Sequence, residues 1–172
     1  MPRLYQYYEE QLDRLYEHHP SFSRIFPRSV YPCIAFNFGQ VRCWKHRDVL
    51  NCPFGMCAIT ALGRFNSKEG GHLIIWELKL VIEFPHASTI LLPSALFTHS
   101  NTPVPSGQTR LSITQYCPGG LFRWVDNGFQ TEDAFKAADP EGFRRMCARK
   151  DLQWEKGLAL LSTRDELLCP TH

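Results

Sequence analysis

Three side chains able to bind a metal, His46, Asp48 and His99, and one guanidinium, Arg110, carry the most chemistry in this chain. Two imidazoles and one carboxylate can occupy one face of an Fe(II) ion and leave three positions open. An arginine supplies a planar, bidentate fork for a carboxylate such as the distal group of 2-oxoglutarate. The set points to oxidation at an iron centre that consumes O2 and 2-oxoglutarate. His46 and Asp48 flank Arg47, and in an extended segment residues i and i+2 face the same side. One short stretch therefore aims an imidazole and a carboxylate at one ion. His99 must return to the site through the fold, and Arg110 is expected beside it if their two strands pair. Ser112 has the same facing as Arg110 and offers a hydroxyl to the same carboxylate. A His-x-Asp pair alone is a common surface feature; His99 and the Arg110-x-Ser112 strand set this one apart. Where such iron chemistry halogenates, the carboxylate is missing; Asp48 is present, so hydroxylation is expected.

These residues need elements that bring them together. Residues 3 to 19 predict a helix, with Leu4, Tyr8, Leu12 and Tyr16 at i, i+4 spacing and Pro20 as a stop. Strand character follows over 30 to 44, 55 to 65, 72 to 76, 80 to 84, 89 to 92, 96 to 99 and 109 to 117, with turns at 66 to 71 and 85 to 88. Residues 122 to 125 read as one more strand. From 131 to 168 charge rises and apolar residues take helical spacing. Many short strands flanked by helices predict an α+β fold. Its core would be a double-stranded β-helix of the jelly-roll or cupin type, buttressed by N- and C-terminal helices. Such a core points ligands from different strands into one mouth.

The length of 172 residues suits a single domain, and a 13% aromatic content is that of a globular chain. No apolar run approaches the ~20 residues of a membrane-spanning helix, and the N-terminus shows no signal-peptide core. An intracellular protein is expected. The seven cysteines are odd in number and form no Cys-x-x-Cys pair, so they are read as reduced thiols in the core. The net charge of +2 permits nucleic-acid binding without arguing for it. Arg42, Lys45 and Arg47 near the metal motif, and Arg144, Arg145, Arg149 and Lys150 near the C-terminus, are individually read as solvated charges. Phe122, Trp124 and Phe129 are read as core or rim aromatics. His18 and His19 suit a helix end, where a cation is favourable. His72 opens a strand, His86 sits in a turn, and His172 is terminal.

Three stretches resemble the TET and base-J-binding-protein family of nucleic-acid dioxygenases, its short fungal members included. His46-Arg47-Asp48-Val49-Leu50-Asn51 is similar to that family's H-R-D-x-x-N. His99-Ser100-Asn101-Thr102-Pro103 is similar to its H-x-x-T-P. Thr109 to Tyr116 is similar to its T-R-x-S-x-x-x-Y. The match spans residues 46 to 116 and covers the ends of the chain poorly. It implies His46, Asp48 and His99 as iron ligands, and Arg110 with Ser112 as the 2-oxoglutarate site. Asn51 would hydrogen-bond the edge of a flipped base, and Tyr116 would stack on or pack near it.

The implied activity is Fe(II)- and 2-oxoglutarate-dependent oxidation of the methyl group of a methylated base in DNA, with 5-methylcytosine the first choice and the nucleus the expected location. Members acting on 5-methylcytosine carry a base-contacting His two positions after the strand Tyr, and here that place is Pro118. The chain also lacks the Cys-rich zinc-binding extension of the animal enzymes. The alternatives are the same iron chemistry on N6-methyladenine, RNA, a protein or a small molecule, or a non-catalytic module that binds modified DNA. Oligomeric state is not legible.

Overall fold

The computed structural model describes residues 1–24, 26–39 and 41–168. Two compact units make up the chain. Tyr31–Pro118 makes one, and Met1–Val30 with the chain from Gly119 on makes the other.

All the strands lie in the first unit: β1 (Cys33–Asn37), β2 (Cys57–Arg64), β3 (Leu73–Ile75), β4 (Leu80–Ile82), β5 (Thr89–Leu92), β6 (His99–Asn101) and β7 (Thr109–Tyr116). A four-stranded sheet runs β1-β7-β2-β5 and a three-stranded sheet β4-β3-β6. Every pairing is antiparallel. Alternation decides what each sheet buries. Cys57 and Ala61 of β2 turn inward and meet Ile75 and Leu73 of β3, with Leu92 and Phe84 filling between them. This double antiparallel sheet is a jelly-roll core. Cys52, Cys57 and Cys117 are buried and in no disulfide among the described residues, and burial pushes the Cys57 thiol up to about 11. A thiol raised that far is an inert packing residue.

The second unit is helical: α1 (Pro2–His18), α2 (Gly119–Asp126), α3 (Glu132–Ala138), α4 (Pro140–Ala148), α5 (Lys150–Ala159) and α6 (Arg164–Leu168). Leu12 and Leu15 of α1 close on Val125 of α2, and His18 stacks on Phe129 with ring centroids 3.7 Å apart. Thr131 and Asp139 cap α3 and α4 by accepting from Ala134 N and Gly142 N at 3.2 and 2.7 Å. Arg3 of α1 pairs with Glu166 of α6 at 2.8 Å. No helix among the described residues is long and apolar enough to cross a membrane.

Three element expectations need correction. Residues 122 to 125 are helical, inside α2, not strand. A run of four residues, three of them apolar or aromatic, has no resolvable period, and burying Phe122 and Val125 on one helical face satisfies it equally. The strand expected over 30 to 44 is only five residues, Cys33–Asn37, paired with β7 from Tyr116 back to Ser112; beyond it the chain turns at Gly39, with a φ of +91°, and Val41 N then donates to Arg110 O at 3.1 Å. The strand expected over 96 to 99 begins at His99, since Leu96 N and Phe97 N both bond to Pro93 O in a turn. His172 and Cys169 lie outside the described residues.

Candidate metal and anion site

A backbone bridge joins the two imidazoles. His46 N donates to His99 O at 3.0 Å and His99 N donates to His46 O at 2.9 Å. Residues paired this way carry their side chains on the same side, and the two rings lie 4.4 Å apart. Each ring is oriented by a carbonyl two residues earlier. His46 Nδ1 meets Trp44 O at 2.7 Å, and His99 Nδ1 meets Phe97 O at 3.0 Å. A carbonyl can only accept, so both Nδ1 atoms hold the proton and both Nε2 atoms present a lone pair. Burial first, and then the neighbouring His46 imidazole against the pull of Phe97 O, leaves His99 below the usual histidine range. A neutral imidazole is the ligand form.

Asp48 completes the set. Its Oδ1 lies 3.6 Å from His46 Nε2. Its other oxygen, Oδ2, accepts from Asn51 Nδ2 at 3.2 Å, and the same amide nitrogen donates to Ser94 Oγ at 3.1 Å. Asp48 N in turn donates to Ser94 O at 3.0 Å. The carboxylate is gripped on one side and open on the other. One ligand atom from each of His46, Asp48 and His99 falls within 4.8 Å of the others, and no fourth His, Cys, Asp or Glu joins them among the described residues. A two-nitrogen, one-oxygen face with an open side fits Fe(II) better than a closed structural zinc site.

All seven sequence-selected residues line one cavity of about 470 Å³: His46, Asp48, Asn51, His99, Arg110, Ser112 and Tyr116. That volume falls in the range of about 300–1,000 Å³ typical of small-molecule sites. Arg110, Ser112 and Tyr116 reach it because alternate residues of β7 share a face. The route by which Arg110 comes near the metal donors differs from expectation. β6 pairs with β3, and β7 pairs with β1 and β2. His99 and Arg110 therefore stand on different sheets and look into the same cavity, rather than side by side on paired strands.

Arg110 is 2% exposed, and its Nε has no hydrogen-bond partner. No carboxylate among the described residues pairs with it. Burial, the dominant influence, lowers its pKa, and only Cys43 acts the other way. Its alkyl stem passes Gly71, where a Cβ would sit 3.1 Å from Arg110 Cδ and 2.8 Å from the Phe65 ring. Gly71 also has a φ of +74°, so glycine is required there twice over. A buried guanidinium left without an anion is costly. Its natural complement is a carboxylate delivered by a ligand. Ser112 Oγ accepts from Asn37 Nδ2 at 3.1 Å, which turns the hydroxyl proton of Ser112 toward another acceptor.

Sequence reasoning missed the residues that hold this arrangement. Asn101 accepts from Cys43 N at 2.6 Å and donates to Val41 O at 2.9 Å, clamping the segment that leads to His46. Glu77 takes Arg47 at 2.7 Å and Thr98 N at 2.8 Å, tying the metal motif to the residue before His99. The Thr98 hydroxyl first, joined by Arg47, outweighs the opposing desolvation and pulls the Glu77 carboxyl down to about 2. Asn37, Ser94, Asn101 and Glu77 act through pairing across the fold, and nothing local in the sequence marks them. Arg47, read as a solvated charge, is thus held in an ion pair. Arg145 lies near Asp139 and Glu141 at 3.8 and 3.6 Å.

No family model matches the sequence, and no curated protein matches it. Among solved structures the chain is similar to NgTET1 in complex with 5mC DNA, with a TM-score of 0.50 and 15% identity. That likeness covers 62% of this chain and 42% of the NgTET1 chain, so the chain spans less than half of its neighbour's length. A more partial likeness joins it to the viral collagen prolyl hydroxylase vCPH of Paramecium Bursaria Chlorella virus-1 in its 2OG complex. There the TM-score is 0.34 and identity 17%, over 48% of this chain and 55% of that one. The first likeness shows the fold, a double-stranded β-helix.

Proposed function

We propose that this chain is an Fe(II)- and 2-oxoglutarate-dependent dioxygenase that oxidises the methyl group of a methylated base in DNA, 5-methylcytosine first. One observation carries the cosubstrate: Arg110, buried and without an anion, opens on the same cavity as the three metal donors. His46 Nε2, Asp48 Oδ1 and His99 Nε2 would hold the iron. Arg110 would take the distal carboxylate of 2-oxoglutarate in a bidentate grip, with the Ser112 hydroxyl donating beside it. With O2, iron and 2-oxoglutarate supply the oxidising equivalents, leaving succinate and CO2 as co-products. The residues of the chain orient the methyl group and keep the site closed to side reactions.

The substrate part of this reading rests on the H-R-D-x-x-N and T-R-x-S-x-x-x-Y resemblance and on the placement of Asn51 and Tyr116 in the cavity wall. A methyl group on a stacked base cannot reach an enclosed metal, so the nucleotide must leave the duplex. The Asn51 nitrogen is engaged by Asp48 and Ser94, so its oxygen is the group offered to a base edge. Tyr116 offers a ring face. Pro118, where 5-methylcytosine enzymes place a His, pairs with Asn51 through a backbone bridge and has no side-chain hydrogen-bonding group. A DNA substrate would place the chain in the nucleus.

The test is incubation with Fe(II), 2-oxoglutarate and duplexes carrying different methylated bases, followed by nucleoside mass spectrometry. A hydroxymethylated nucleoside formed together with succinate supports the reading. Succinate release with no oxidised base in any duplex would move the substrate to RNA, protein or a small molecule.

A further inference from the structure

The turn that carries the metal-binding carboxylate ends in two exposed aliphatic side chains. Val49 and Leu50 are 75% and 80% exposed, yet both border the cavity. The turn is closed by Asn51 N donating to Asp48 O at 2.9 Å and anchored by Asp48 N on Ser94 O, so the pair is held at the cavity mouth. Single exposed aliphatics are ordinary. Two adjacent ones on a fixed turn at the rim of the cavity call for a partner that provides an apolar surface.

The same strip supplies positive charge. The Arg42 guanidinium lies 4.1 Å over the Trp44 ring, and the Lys45 ammonium lies 4.3 Å over the Trp76 ring. Trp44 is 72% exposed. Arg47 is neutralised by Glu77, but among the described residues neither Arg42 nor Lys45 makes an ion pair. Each lies over an aromatic face and is exposed to solvent. Exposed cations, a flat ring and an apolar tip within nine residues match a polyanion whose interior is a stack of apolar faces.

We propose that residues 42 to 50 form a DNA-engaging ridge, in which Arg42 and Lys45 hold phosphates while Val49 and Leu50 enter the base stack and fill the space left by the extruded nucleotide. The inference rests on the nucleobase reading above. Apolar wedges of this kind unstack neighbouring bases and stabilise the open duplex, and phosphate contacts set affinity and its salt dependence.

The test uses the full chain and a duplex with 2-aminopurine beside a methylated base, read by anisotropy for binding and by 2-aminopurine emission for unstacking. The wild-type chain is expected to raise the emission on binding. Val49→Ser/Leu50→Ser, two exposed changes with little bearing on folding, should retain most of the affinity and lose the emission rise. Arg42→Gln/Lys45→Gln should bind about tenfold more weakly and lower the slope of log affinity against log salt by about two, one per lost phosphate contact. A full emission rise with the serine variant, or unchanged affinity and salt slope with the glutamine variant, would overturn the ridge. So would binding to polyglutamate as tight as to duplex without any rise, which would indicate an acidic protein partner. If the chain unstacks DNA through these residues while mass spectrometry finds no oxidised base, the ridge stands and the proposed reaction falls. If methylated bases are oxidised and the serine variant behaves as wild type, the reverse holds.

Discussion

Asn51 grips the carboxylate that faces His46: its amide nitrogen donates to Asp48 Oδ2 at 3.2 Å while Asp48 Oδ1 stays on the metal side, 3.6 Å from His46 Nε2. A hydrogen bond behind a ligand fixes the direction of its lone pairs, and loss of such a bond weakens metal affinity by roughly ten- to a hundredfold. Asn51→Ala should therefore weaken Fe(II) binding by about that factor, measured by metal titration, in addition to any effect on a base. An unchanged iron affinity would leave Asn51 with a role toward substrate alone.

Removing a ligand outright should be more severe. His46→Ala, Asp48→Ala and His99→Ala are each expected to abolish stoichiometric Fe(II) binding and all oxidation. His46 and Asp48 are not core residues, and the bridge between 46 and 99 is made by backbone atoms. Circular dichroism should therefore show the fold retained. An active preparation holding tightly bound Zn2+ would count against the assignment.

Arg110→Lys tests the anion site separately from the metal. Lysine keeps the charge but lacks the planar fork. The expected result is a rise in apparent KM for 2-oxoglutarate of about tenfold or more, since a charge-assisted bond contributes about 1.5–3 kcal/mol, with Fe(II) affinity little changed. Loss of iron with 2-oxoglutarate affinity preserved would reverse the assignment of Arg110.

Much of this site was legible because its chemistry sits in residue type and close spacing. His46-x-Asp48 and Arg110-x-Ser112 are i, i+2 pairs on extended chain, and that geometry is local. Their neighbours across the fold were not legible. Asn101 clamps residues 41 and 43, and Glu77 joins Arg47 to Thr98. Those partners are set by sheet order, which no window of sequence contains. Whether the His99 and Arg110 strands pair was not legible for the same reason, and the chain places them in separate sheets.

The Glu77 tether has its own pH signature. Its carboxyl is held at about 2 against an ordinary 4.5. A folded-state value below the unfolded one gives stability that is present above about 4.5 and lost as pH falls toward 2. Glu77→Gln should lower the melting temperature at neutral pH, and the gap from wild type should close as pH falls through that window. A gap that stays constant down to pH 2 would show that the carboxylate contributes no ionic tether.

The most direct test of the central claim is an anaerobic spectral titration of the wild-type chain with Fe(II) and 2-oxoglutarate. Chelation of Fe(II) by the keto acid gives a visible charge-transfer band that neither component gives alone with the protein. The band should saturate at one iron and one 2-oxoglutarate per chain. It should be absent in His99→Ala and need more 2-oxoglutarate in Arg110→Lys. A folded wild-type chain that binds Fe(II) and shows no such band at saturating 2-oxoglutarate would contradict it.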